Sequence, residues 1–125
     1  MNRLVAAAAG LGFSGVAFGA FGAHALDAQL TDEARGWWTT ATTYLLPHAA
    51  AALAAGLSRR AKLGGWLIVV GAAIFAGSLY AMALGAPRWF GAITPIGGLS
   101  LLAGWAAMAL SAFRKDQDPA TPSPT

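Results

Sequence analysis

The chain contains no cysteine, only two histidines, and just eight Lys and Arg with five Asp and Glu among its 125 residues. Without cysteine there are no disulfides and no thiolate chemistry. Charged residues make up 10% of the sequence and hydrophobic ones 57%, whereas an ordinary soluble domain is about a quarter charged. A water-soluble fold of this length keeps a large fraction of its surface exposed and could not hide so much apolar area. The scarcity of charge also excludes a nucleic-acid partner, because a basic groove needs clustered Lys and Arg with stacking aromatics. The net charge of +3 comes instead from basic residues placed between apolar segments, where anionic lipid headgroups would meet them. The partner expected first is the lipid bilayer.

Four apolar runs, Leu4–Leu26, Trp37–Leu57, Leu63–Leu84 and Gly91–Phe113, contain no Asp, Glu, Lys or Arg. Each has about the 20 residues needed to cross roughly 30 Å of hydrocarbon. The expected fold is an all-α, antiparallel four-transmembrane-helix bundle, with helices over about 4–26, 31–57, 63–84 and 91–113. Short connections at Ser58–Lys62 and Gly85–Phe90 make neighbouring helices adjacent and antiparallel. In the longer connection Asp27–Gly36, Thr31 is the expected N-cap of the second helix, with Asp32 and Glu33 in its first turn. Arg3, Arg59, Arg60, Lys62, Arg114 and Lys115 fall on one side, against Arg35 and Arg88 on the other, which places both termini in the cytoplasm. Trp37, Trp38 and Trp89 are then expected in the outer aromatic belt. Residues 114–125, rich in charge, Pro, Ser and Thr, read as a disordered polar tail. Arg3, the run after it and the Ala23–Ala25 stretch resemble a signal peptide with an A-x-A cleavage site. The run is longer than a usual signal and studded with glycine, so a retained first helix is expected.

Gly10, Gly12 and Gly15 match G-x-G-x-x-G, but no strand precedes them, so the dinucleotide reading fails. Gly12, Gly15, Gly19 and Gly22 instead lie near one face of the first helix, where small residues let membrane helices approach closely. Gly71 and Gly77 are expected to do the same on the third helix. Pro47 lies inside the second helix and removes the hydrogen bond to the Thr43 carbonyl, with Thr39, Thr40, Thr42 and Thr43 nearby to compensate. Thr94 and Pro95 read as an N-cap and first helical residue opening the fourth helix. The nine-residue steps from Pro47 to Gly56 and from Pro95 to Gly104 hint at a duplicated hairpin.

At helical spacing Glu33, Trp37, Thr40, Tyr44 and His48 form a polar seam that enters from the outer side and stops near the midplane. His24, Ser78, Tyr80 and Thr94 fall in the same half. The candidate ligand-binding or proton site is therefore His24, Tyr44, His48, Ser78, Tyr80 and Thr94, with His48 at its centre. Intramembrane ionisable groups mark function by default, although hydrogen-bonded ties that hold helix registry, such as His48 to Tyr80 or to a backbone carbonyl, compete with that reading. The two histidines differ in depth by more than about ten ångströms at a rise of roughly 1.5 Å per residue. That argues against haem, and the lack of an intramembrane carboxylate or cysteine argues against zinc or a triad hydrolase. No metal, no cofactor and no enzymatic activity are expected. The functional expectation is a binding or accessory protein. The alternative is a small transporter or channel working as a homo-oligomer.

The stretches GAFGAH (19–24), Tyr44 with His48, AGSLY (76–80), ITPIGG (93–98) and AGW (103–105), in this order, resemble the domain-of-unknown-function family 423. These are small bacterial inner-membrane proteins with relatives in mitochondria. The resemblance covers about residues 10–106 and implies four helices in a plasma membrane. It implies no activity. A homo-oligomer or a larger membrane complex remains an open partner.

Overall fold

The computed structural model describes residues 1–114, which form four α-helices: α1 (Arg3–His24), α2 (Asp32–Leu57), α3 (Lys62–Ala83) and α4 (Thr94–Ser111). A short 3-10 turn, Arg88–Ala92, precedes α4. The tail expected after Phe113 lies, from residue 115 onward, outside the described residues. Three apolar stretches, Arg3–His24, Lys62–Ala83 and Arg88–Ser111, are long and apolar enough to cross a membrane. The 26-residue α2 is not among them. Its length suffices, but Asp32, Glu33, Arg35, four threonines and His48 lower its hydropathy.

Each helix packs mainly on its sequence neighbours, α1 on α2, α2 on α3 and α3 on α4. Antiparallel pairing follows from facing residues: Gly22 meets Trp38 while Gly56 meets Val5, and Gly64 faces Gly104 while Gly71 faces Gly97. α3 is the central helix. In its apolar window 56% of residues are buried, against 17% in the windows of α1 and α4. The four helices therefore form an open row bent around α2 and α3, not a closed ring, and α1 and α4 present Phe13, Val16, Leu99 and Leu102 outward. The core holds Trp38, Leu45, Ile68, Tyr80 and Leu101. In lipid, where apolar area is not what drives association, such contacts hold by close packing.

Glycine supplies that packing. Gly64 and Gly71 on α3 meet Gly104 and Gly97 on α4 so closely that a Cβ on Gly71 would stand 2.7 Å from the Leu101 backbone nitrogen. The α1 stripe behaves as expected, Gly12, Gly15, Gly19 and Gly22 all facing α2. Gly77 does not, since nothing lies within 4 Å of where its Cβ would be.

The helix ends show why the boundaries fall where they do. Asn2 caps α1 through Oδ1 to the Val5 N–H (3.1 Å), and its amide donates to the Gly56 carbonyl (2.8 Å), tying α1 to the end of α2. Thr31 caps α2 as expected, accepting from the Ala34 N–H at 3.1 Å. Thr94 is not an N-cap. The 3-10 turn runs straight into α4 through Ile93 in αR conformation, so Thr94 is already helical and its hydroxyl is free to reach α3. The helix also continues through Pro47. Arg3, Arg59, Arg60, Lys62 and Arg114 lie at the end holding residue 1 and the 58–61 connection, and Asp27, Asp32, Glu33, Arg35 and Arg88 at the opposite end.

Candidate functional site

The six residues singled out from sequence do not form one site. His24 stands exposed at the end of α1, with no hydrogen bond to the described residues. Tyr80 and Thr42 pair at 2.6 Å, and Thr42 also lies 3.1 Å from the Trp38 carbonyl. A carbonyl only accepts, so Thr42 donates to Trp38 and accepts from the Tyr80 O–H. By the same reasoning Ser78 donates to the Phe75 carbonyl (2.9 Å) and accepts from Thr94 (2.6 Å), which ties α3 to α4.

His48 does not reach Tyr80. Its Nδ1 lies 2.6 Å from the Tyr44 carbonyl, one turn back, and the Trp105 indole N–H on α4 donates to its Nε2 at 3.0 Å. An indole N–H only donates and a carbonyl only accepts, so His48 is a neutral imidazole with its proton on Nδ1 and both nitrogens in use. Tyr44 stacks nearly parallel to it, and the Trp105 ring stands edge-on at 5.9 Å. His48 is thus a strut between α2 and α4. His48→Ala should destabilise the bundle by about 1 kcal/mol, the scale of an interhelical hydrogen bond in lipid, and Trp105→Phe by a similar amount. The double variant should lose little more than either single one. Reversible unfolding in detergent–SDS mixtures checks this, and full additivity would show that the two residues are not coupled.

These pairs are all satisfied internally. The Thr40 and Tyr44 hydroxyls on the seam have no hydrogen-bond partner among the described residues, and further open groups lie on the next stripe of α2. Arg35, Thr39, Thr43 and Pro47 recur every four residues and line a groove of about 640 Å³ between α1 and α2, with Gly19, Gly22 and Ala23 as its opposite wall and Asp27 and Leu30 at its mouth. The groove exists because the α1 glycines remove side-chain volume where α2 passes. The hydroxyls of Thr39 and Thr43 have no hydrogen-bond partner among the described residues, and the Thr43 carbonyl lacks its helical donor because Pro47 has no N–H. Arg35 donates one firm hydrogen bond, from Nη2 to the Leu30 carbonyl at 3.0 Å. Asp27 and Asp32 each stand 3.6 Å from the guanidinium, close enough for attraction but too far for a hydrogen bond. Its Nε is buried without an acceptor. The floor is Trp38, buried and not in an outer aromatic belt, because the missing Cβ of Gly22 leaves it a seat. Its indole N–H donates to the Phe18 carbonyl at 2.8 Å.

The sequence did carry a signal for this groove. The four-residue repeat Arg35, Thr39, Thr43, Pro47 is as regular as the Glu33–His48 seam and lies beside it. The seam's Glu33 end is consumed by structure: Arg88 pairs with Glu33 at 3.0 Å and lies 6.0 Å above the Trp37 ring, latching α2 to the 3-10 turn. Among the described residues no group of three or more His, Asp or Glu is placed to hold a metal ion.

Residues 18–98, which include every residue lining this groove and part of each of the three neighbour interfaces, match the family model described as protein of unknown function, DUF423. The chain belongs to this family. It is 40% identical over 104 residues to a UPF0382 membrane protein of Staphylococcus haemolyticus, covering 79% of this chain and 85% of that one. It is 38% identical over 109 residues to the UPF0382 inner membrane protein YgdD of Escherichia coli K12, covering 82% and 83%. No solved structure matches it significantly. The motifs of the DUF423 resemblance have distinct tasks here. GAFGAH forms the α1 wall, Tyr44 and His48 the strut, AGSLY the Ser78 and Tyr80 ties, and the TPIGG segment the close α3–α4 contact at Gly97.

Proposed function

We propose that this DUF423 chain is a four-span protein of the bacterial inner membrane, with both termini cytoplasmic, that acts by binding an amphipathic ligand in the groove between α1 and α2. It is a binding or accessory protein and not an enzyme. The observation that carries this is the contrast in hydrogen bonding. The Tyr80, Ser78, Thr94 and His48 groups are paired within the protein, whereas the hydroxyls of Thr39 and Thr43, on residues that line the groove, have no hydrogen-bond partner among the described residues. Polar groups left open in an apolar setting are costly unless something satisfies them. Transport as a homo-oligomer finds less support, because the residues lining the groove end at Pro47, about halfway along α2.

The topology has a direct test, and the absence of cysteine makes it clean. A single cysteine at Gln29 should react with a membrane-impermeant maleimide added outside intact cells, and one at Ser58 only after lysis. The reverse pattern would invert the protein. Binding is tested by filling the groove. Thr43→Trp should abolish retention of a co-purifying small molecule, read by native mass spectrometry, with an unchanged melting temperature because Thr43 is exposed on the groove wall. Equal retention by wild type and variant would refute the groove as the site.

A further inference from the structure

The groove is graded along its length. At its mouth Arg35 and Asp27 stand side by side, Asp27 Oδ1 lying 3.6 Å from the Arg35 Nε, with the Arg35 side chain 43% exposed. Below them come Thr39 and Thr43, and at the deep end Leu46 and Pro47, with Gly19 the α1 lining residue nearest them. From Arg35 to Pro47 the helix rises about 18 Å at ~1.5 Å per residue, close to the ~15 Å half-thickness of the hydrocarbon core plus the inner edge of the headgroup layer. A groove one leaflet long, charged at the water end and apolar at the midplane end, has the polarity profile of a single phospholipid.

We infer that the occupant is an outer-leaflet phospholipid with a primary-amine headgroup, its phosphate on Arg35 and its ammonium on Asp27. This rests on the groove being a binding site. The guanidinium offers the donors that phosphate oxygens accept, and it makes only one firm hydrogen bond, to the Leu30 carbonyl, with both aspartates held at 3.6 Å. The Asp27 carboxylate, 60% exposed, is free to turn from Arg35 to a second cation. In a phosphoethanolamine the ammonium lies two carbons beyond the phosphate oxygen, so one headgroup reaches both side chains. An anionic headgroup without an amine would set its phosphate against Asp27. A quaternary ammonium has no N–H to donate and is recognised best by an aromatic cage, which the mouth does not provide. The threonine hydroxyls lie where the glycerol esters would pass, and the chains would run past Gly19 and Leu46.

The experiment uses the full chain in mild-detergent micelles doped in turn with phosphatidylethanolamine, phosphatidylcholine or phosphatidylglycerol, each also supplied with a photoreactive acyl chain. Retained lipid is counted by native mass spectrometry and the crosslink mapped by peptide sequencing. Phosphatidylethanolamine should be retained about one to one and at least tenfold more than the others, with crosslinks in residues 19–23 and 42–47. Arg35→Gln should lose that preference. Asp27→Asn, which leaves the Arg35 hydrogen bond to Leu30 in place, should raise phosphatidylglycerol to the level of phosphatidylethanolamine, keeping the test decisive if Arg35→Gln fails to fold. Equal groove labelling by all three lipids would overturn the headgroup assignment and leave the groove as a binding site. Crosslinks that avoid the groove with every lipid would overturn both.

Discussion

Gly97→Val should detach α4 from α3. A Cβ on Gly97 would lie 2.5 Å from the Phe75 backbone nitrogen and 2.8 Å from the Gly71 carbonyl oxygen. Neither atom belongs to a flexible side chain, so the only relief is to move a whole helix. Overpacking a well-packed core typically costs about 1–3 kcal/mol, and here the branched side chain meets backbone, so a loss of about 3 kcal/mol or more is expected. Separation would also break the Thr94–Ser78 bond to α3 and the Trp105–His48 bond to α2, because both reach out from α4. Gly77→Ala is the matched control: its Cβ would meet open space, and alanine exceeds glycine in helix propensity by about 1 kcal/mol. One glycine replacement on these helices should therefore weaken the protein severely and the other should strengthen it slightly. The SDS concentration at half-unfolding reads both, and equal shifts in the same direction would refute the glycine-contact account.

Trp38→Ala should have an effect of similar size at the other interface. Trp38 is 5% exposed, packs edge-on against Phe18 and Tyr80 at 5.8 and 4.6 Å, and fills the notch at Gly22. Removing a buried tryptophan typically costs about 3–5 kcal/mol. The lower end is expected in lipid, where the loss is of packing and not of hydrophobic transfer. The seat makes a sharper prediction. Gly22→Ala alone should be destabilising because its Cβ would fall on the Trp38 indole, yet it should add almost nothing in the Trp38→Ala background. Additive losses in that double variant would show that the two residues do not share the contact. Trp38→Ala should also lower ligand retention, since the indole is the floor of the groove.

Helix content and position were legible because they depend on local features. Uninterrupted apolar runs set the four helices. Thr31 with Asp32 and Glu33 set the start of α2, and the glycine period set which face of α1 meets its neighbour. Misreadings arose where two chemically equivalent choices were decided at a distance. Thr94 has the sequence context of a cap, but Ser78 on another helix claims its hydroxyl. Gly77 looks no different from Gly71, yet only Gly71 faces Gly97. Trp37 and Trp38 are consecutive and both suit an interface, but the step of about 100° per residue sends one to Arg88 and the other into the core.

The candidate site follows the same division. Residue types alone determined an apolar, charge-poor helical chain whose polar groups lie toward one end, and the motif order pointed to its family. Which of two neighbouring polar stripes on α2 supplies the interhelical strut and which lines the groove was decided only by tertiary structure. Trp105, far along the chain, takes the second nitrogen of His48, and the α1 glycines withdraw from Arg35, Thr39 and Thr43. A hydrogen bond's partner is set by the three-dimensional position of another helix, which a helical period on one segment does not encode.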